Sequence, residues 1–354
     1  MNPLFVNIII CISIILFSKI IPLDRNAKEK FMLYATFVSL VFFHTFIDIY
    51  SIPDLEPYYL EFLQVEHNTW TEILSGETSR LEIGFLVLLK LVNSIGGDFR
   101  IVLLICSLLI ITPYYIAIRK YSPYAALSVI LILLTTYNQS LFVLRQHIAI
   151  AITIYSYQFV INRNFRKFAI AMVLAFLFHK SSIVFIPIYF IYGIKNNKSY
   201  IITIIASTVV LSLITRVLYS SIGFEMGYNT YIEDNENTTN NLQSILYLLI
   251  LIAYIFFINN SSLKPGINKL SLTLLIFTTI LCSVGIGLSM ISRLSLYYNA
   301  ILFISTPLTS RYINDNIIKF AYVICIIAVF TYMTFYGSFY NFIEGYNLDF
   351  NPIR

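Results

Sequence analysis

Four short stretches place ionisable side chains inside strongly apolar surroundings. They are Glu82-Ile83-Gly84-Phe85, Arg145-Gln146 within Leu141–Ala151, His179-Lys180-Ser181-Ser182 between Phe178 and Ile183, and Arg293 within Met290–Asn299. Ionisable groups at membrane depth are costly and mark function by default. An arginine there can present its planar fork to a phosphate or carboxylate. An imidazole titrates near neutrality and can serve as a general base. Glu82 could bind hydroxyls, accept a proton or pair with one of the arginines. Each has a plainer alternative: Arg145 and Arg293 could snorkel to headgroups, and His179 could cap a helix end. Gln146 argues against snorkelling beside it, because a buried amide needs partners too. Tyr297 lies one helical turn beyond Arg293, while His147 falls on a different helical face from Arg145. Two arginines, a histidine and a carboxylate suit a diphosphate-bearing substrate. The arginines would neutralise a departing diphosphate, a task a metal performs elsewhere, and His179 would take the proton of an attacking hydroxyl.

Other chemistry is absent from the motifs. The chain has no G-x-x-x-x-G-K-[ST], no H-E-x-x-H and no G-x-S-x-G. Asp234-Asn235-Glu236 sits among Asn and Thr and reads as a solvated loop, so no metal site and no cofactor are expected. Cys11, Cys106, Cys282 and Cys325 all fall in apolar runs without C-x-x-C spacing, which suggests neither disulfides nor zinc.

The elements that must position these residues follow from composition. The chain of 354 residues is 58% hydrophobic and only 12% charged, with a mean hydropathy of +0.79. A soluble domain carries about a quarter charged residues, so this chain cannot coat a water-exposed surface. It reads as an all-α, polytopic membrane bundle, one domain over 1–354. Apolar runs at 3–21, 31–49, 99–118, 122–139, 141–161, 165–179, 181–194, 200–219, 243–258, 270–289, 292–308 and 318–335 predict twelve spans. Residues 1–22 read as a retained first span, since no positive n-region or cleavage site accompanies them. The run at 82–95 is short, carries Lys90 and ends in Gly96-Gly97, which predicts a re-entrant segment. With 82–95 re-entrant and the N-terminus outside, the cytoplasmic connections hold 15 of the 23 basic residues and only Asp24, Glu29 and Asp315 as acids. If 82–95 crossed instead, the basic loops would face outward, against the positive-inside rule. The net charge of +5 is therefore a topology signal. No basic stripe is long enough for a nucleic acid. Two longer segments, 50–81 and 220–242, fall outside, and so do Glu82, Arg145, His179 and Arg293.

At these residues the chain resembles the EpsG family of bacterial polysaccharide polymerases, which are Wzy-like. Glu82-Ile-Gly-Phe, Arg145-Gln-His-Ile-Ala, Leu174-Ala-Phe-Leu-Phe-His179-Lys-Ser-Ser, and Arg293 followed by Tyr297-Tyr298 carry the resemblance. The segment at 220–242, with Tyr228 and Tyr231, is only loosely similar. The resemblance implies a GT-C-like, metal-independent glycosyltransferase in the bacterial cytoplasmic (inner) membrane, its site facing outward. It would polymerise undecaprenyl-diphosphate-linked oligosaccharide repeat units for O-antigen, capsule or exopolysaccharide. A flippase and a chain-length regulator of the same pathway are implied as partners. On that reading His179 and Glu82 are catalytic, Arg145 and Arg293 bind the diphosphate, and Gln146, Lys180 and Tyr297 position substrate. The competing expectations are a flippase for lipid-linked sugars and a membrane O-acyltransferase acting on surface glycans. A flippase should line a path across the membrane, often with inverted repeats, whereas these candidates gather on one side.

Overall fold

Apolar runs in a membrane must satisfy their own backbone groups, and helices do so internally. The computed structural model describes residues 2–76, 79–192, 236–258, 266–284, 293–336 and 345–353. The expected span 200–219 and most of the 220–242 loop, with Tyr228 and Tyr231, lie outside the described residues. Among those described, regular structure is helical, apart from one isolated antiparallel bridge between Ile47 and Leu348. Polar residues at the ends of the apolar runs set the helix starts. Asn2 accepts the Leu4 N–H at the head of α1 (Pro3–Ile20), and Asp24 accepts that of Ala27 at the head of α2 (Arg25–Thr45).

Chain order continues with α3 (Leu55–His67), α4 (Trp70–Ser75), α5 (Ile83–Ser94), α6 (Phe99–Tyr121) and α7 (Ala125–Phe142), whose centre is a π-helical turn over Leu133–Tyr137. Then come α8 (Leu144–Ile161), α9 (Phe165–Phe178), a 3-10 turn over Lys180–Phe185 and α10 (Pro187–Ile191). The remaining described helices are α11 (Glu236–Phe257), α12 (Ile267–Val284), α13 (Leu296–Asn299), α14 (Leu302–Tyr312) and α15 (Asn316–Tyr336). Five of them, α1, α6, α7, α12 and α15, are long and apolar enough to cross a membrane. The chain is thus a helical membrane protein.

Two expectations differ in detail. The runs 165–179 and 181–194 were expected as spans. The first forms a 14-residue helix of about 21 Å at 1.5 Å per residue, short of a hydrocarbon core of roughly 30 Å. The second is broken, because Pro187 starts a new helix directly after the 3-10 turn. The outer segment 50–81, expected as a loop, contains α3 and α4. Leu55, Tyr58, Phe62 and Val65 form a buried helical stripe on α3. Thr69 and Glu72 close a capping box on α4.

The chain divides into two compact units, one of 1–156, 166–183 and 326–354, the other of 157–165 and 184–325. In the first, α2 packs between α1 and α6, and α5 packs on α3, α4 and α6. Buried hydroxyls tie these helices: Ser39 donates to Asn7 at 2.7 Å and Tyr115 to Thr36 at 2.9 Å. In the second, α11 packs on α12 and α14, and α12 also contacts α10 and α13.

Candidate active site

Glu82 is the N-cap residue of α5, yet its carboxylate makes no capping bond to its own helix. Backbone amides at a helix start normally claim such an oxygen. Here the carboxylate turns instead to two other elements. Oε2 pairs with the Arg145 guanidinium in the first turn of α8. Oε1 lies 3.0 Å from His179 Nδ1 and accepts the Lys180 N–H at 3.3 Å. Oε1 and Nδ1 are within ion-pair range. In the same 3-10 turn Ser182 N–H reaches back to the His179 carbonyl at 3.0 Å.

The approach of α5 to the end of α9 depends on Gly84. A Cβ at that position would stand 2.7 Å from the Leu177 carbonyl oxygen and 2.9 Å from its carbon. Those are backbone atoms and cannot step aside. The absence of a side chain at Gly84 is what lets Glu82 reach His179, so the Glu82-x-Gly84 pairing has a steric reason.

Tyr58 on α3 completes the cluster. Arg145 Nε donates to its hydroxyl at 3.4 Å, and the guanidinium carbon stands 5.4 Å from its ring centre. Phe85 meets Tyr58 edge-on at 5.2 Å. The cation–π contact and the carboxylate hold the arginine from two sides. Burial raises the Tyr58 hydroxyl above the ordinary phenol range, against the lowering pull of Arg145, so the phenol keeps its proton. Sequence reasoning named Tyr58 only as one aromatic of the outer segment and gave it no role. The stripe of Leu55, Tyr58, Phe62 and Val65 was the available signal.

Electrostatics sharpen the arrangement. Burial would raise the Glu82 carboxyl, but the contact with His179 and the charge of Arg145 outweigh it and bring the pKa down to about 2. Glu82 is therefore a carboxylate at neutral pH. It is 8% exposed, while the side chains of Arg145 and His179 are 19% and 26% exposed. The anion is sealed in and its two partners open outward. Arg145 also sits at the positive end of the α8 dipole, where a cation is disfavoured and an anion is favoured. Glu82 compensates the first effect, and the second favours an incoming anion.

Of the other candidates in this unit, Lys180 is exposed and Gln146 is buried. His147 is fully buried, with Nδ1 3.1 Å from the Val143 carbonyl. Arg293 and Tyr297 belong to the second unit. Arg293 is exposed there and Tyr297 fully buried. Neighbouring Tyr298 donates to the Val184 carbonyl and stacks on Phe277 with ring centres 5.2 Å apart.

No curated protein and no solved structure matches the chain. The model of the EpsG family matches residues 30–348, which include every residue of the cluster around Glu82, and the chain belongs to that family.

Proposed function

We propose that this chain is a Wzy-type polysaccharide polymerase, a GT-C-like membrane glycosyltransferase with a re-entrant 82–95. It extends undecaprenyl-diphosphate-linked oligosaccharides on the outer face of the bacterial cytoplasmic membrane. Family membership supports the class of reaction. The observation that carries the site is the convergence of Glu82, Arg145 and His179, which come from three separate elements.

In the net reaction a glycosidic C–O bond forms as the bond between the donor sugar and its lipid diphosphate breaks. The diphosphate leaves with the lipid carrier, and the acceptor hydroxyl loses a proton. Arg145 meets the departing diphosphate with a guanidinium that is already oriented. Glu82 faces His179 Nδ1. It thereby holds the ring proton on Nδ1 and turns Nε2 toward the hydroxyl, as a carboxylate orients a catalytic histidine elsewhere. Glu82 so acts through His179 and Arg145, and Gln146 and Lys180 position the sugars. The diphosphate competes with Glu82 for Arg145, which couples substrate arrival to the charge around His179. No step needs a nucleotide, because the donor arrives activated.

The test supplies purified protein with lipid-linked repeat units and reads the length of the glycan. Wild type should produce a ladder, and Arg145→Ala or His179→Ala should leave single units. Equal ladders from wild type and both variants would overturn the site. Cysteine labelling at positions 145 and 179 from each side tests the outward orientation.

A further inference from the structure

A second feature lies far from Glu82 in the first unit, along the seam of α2 and α6. These helices run antiparallel. Thr45 meets Ser107 at one end, Thr36 meets Tyr115 further along, and Lys30 and Arg119 line one groove at the other end. The groove has a volume of about 620 Å³, within the range of roughly 300–1,000 Å³ usual for ligand sites. Its walls are apolar along Tyr34, Phe37 and Ile116, and three cations, Lys30, Arg119 and Lys120, gather at one end. Among the described residues no acidic side chain lines it. Tyr34 and Ile116 are exposed despite their size.

We infer that this groove binds one anionic glycerophospholipid, its phosphate among Lys30, Arg119 and Lys120 and its acyl chains along the apolar wall. Three facts select that occupant. The charge is of one sign and confined to one end, which fits a headgroup. Lys30 to Val38, the extent of the lining on α2, covers about 12 Å at 1.5 Å per residue. That is most of the half-thickness of a roughly 30 Å hydrocarbon core, so the wall suits one leaflet. A partner helix would use the full thickness and would not need three cations, and a polyprenyl chain would outrun the wall. Basic pockets between helices at a membrane face are established headgroup sites in general. This inference does not depend on the glycosyltransferase reading.

The test uses the full chain in nanodiscs of phosphatidylcholine with and without phosphatidylglycerol, followed by delipidation and native mass spectrometry. Wild type should retain one phosphatidylglycerol in preference to phosphatidylcholine. Lys30→Gln/Arg119→Gln alters two exposed side chains and should keep the fold. Each cation near an anionic headgroup is worth about fivefold in affinity, so the pair should lose roughly twenty- to thirtyfold. Val38→Trp, which fills the apolar end, should reduce retention without altering charge, and Lys167→Gln, away from the groove, should change nothing. An unchanged preference in Lys30→Gln/Arg119→Gln would overturn the inference. So would equal retention of both lipids by wild type, or displacement of the bound lipid by a polyprenyl diphosphate.

Discussion

Two arginines in the first unit invite comparison, because each pairs with a carboxylate and each lies beside an aromatic ring. Arg100, at the start of α6, donates to the Thr45 and Ile47 carbonyls at 3.1 and 2.9 Å and to the Asn351 carbonyl at 2.9 Å, and it pairs with Asp349 at 3.3 Å. Its guanidinium stands 5.6 Å from the Phe46 ring. Among the described residues Arg145 contacts Tyr58 and Glu82 and makes no such set of carbonyl bonds. Backbone carbonyls cannot leave, so Arg100 is a fixed clamp that ties residues 345–353 to the ends of α2 and α6. The Ile47–Leu348 bridge and the Tyr346 bond to the Phe43 carbonyl belong to the same clamp. The partners of Arg145 are side chains that can rotate or exchange protons. The same residue type is structural where its bonds end on the main chain, and available to a substrate where they end on side chains.

The largest effect that would break this comparison is on activity. Arg145→Ala should lower elongation by about 10²–10³-fold, the loss seen when one preorganised charge-stabilising group is removed. Arg145→Lys should recover little, because the ammonium lacks the two-pronged fork. Arg100→Ala should leave elongation per folded molecule near wild type. Its cost falls on stability, about 2–3 kcal/mol for carbonyls and a carboxylate left without their donor, read as a lower thermal midpoint in detergent. Equal activity losses in the two alanine variants would erase the distinction.

Gly84 separates position from charge. Gly84→Ala keeps every charged group but forces α5 away from the Leu177 carbonyl. Overpacking of this kind costs about 1–3 kcal/mol. The expected outcome is a folded protein with weakened elongation, in which pairing between Glu82 and His179 is lost. If Gly84→Ala elongates as wild type does, contact between Glu82 and His179 is not needed for activity.

How far the sequence reaches differs between the two arginines. Glu82, Arg145 and His179 were legible because each lies within or at the edge of an apolar run, where ionisable residues are few. Pairing of Glu82 with one of the arginines was open as one of three roles for it, and its contact with His179 was not foreseen. Tyr58 was hidden among 27 tyrosines, and α3 was hidden because acids are interspersed with its buried stripe. Arg100 escaped notice altogether: it sits two residues from Asp98 at a run boundary, where a cation looks ordinary. Most of its partners are main-chain atoms about 50 and 250 residues away, which no side-chain pattern encodes. Lys90 was legible as a charge and read as a sign of a re-entrant segment. In the fold its ammonium donates to the Val65 and Glu66 carbonyls at 3.0 and 3.3 Å and caps the C-terminal end of α3. The charge was visible, but the carbonyls awaiting it were not.

Acid titration sharpens the comparison further. The folded pKa of Glu82, about 2, lies below the unfolded value of about 4.3. The stability it contributes is fully present above the unfolded pKa and is lost as pH falls through the folded one. Glu82→Gln should therefore flatten the fall in stability between about pH 4.5 and 2, measured by acid unfolding in detergent. A wild-type slope in that variant would mean Glu82 is not the group that titrates.

The smallest expected effect concerns Asp349, the counterpart of Glu82 in the clamp. Its carboxyl is also held below the ordinary range, but the first cause is the Asn351 backbone N–H, 3.0 Å away, and Arg100 contributes less. The amide stays in place when the arginine is removed. Carboxyl-labelled aspartate NMR on Arg100→Ala should find Asp349 still titrating low, moved only slightly upward. The same measurement on labelled glutamate in Arg145→Ala should find Glu82 moved further, since one of its two opposing influences is gone and burial still raises it. If Asp349 instead rises fully to an ordinary aspartate value, its carboxylate depends on its arginine as Glu82 does. The clamp would then be held by charge and not by the main chain.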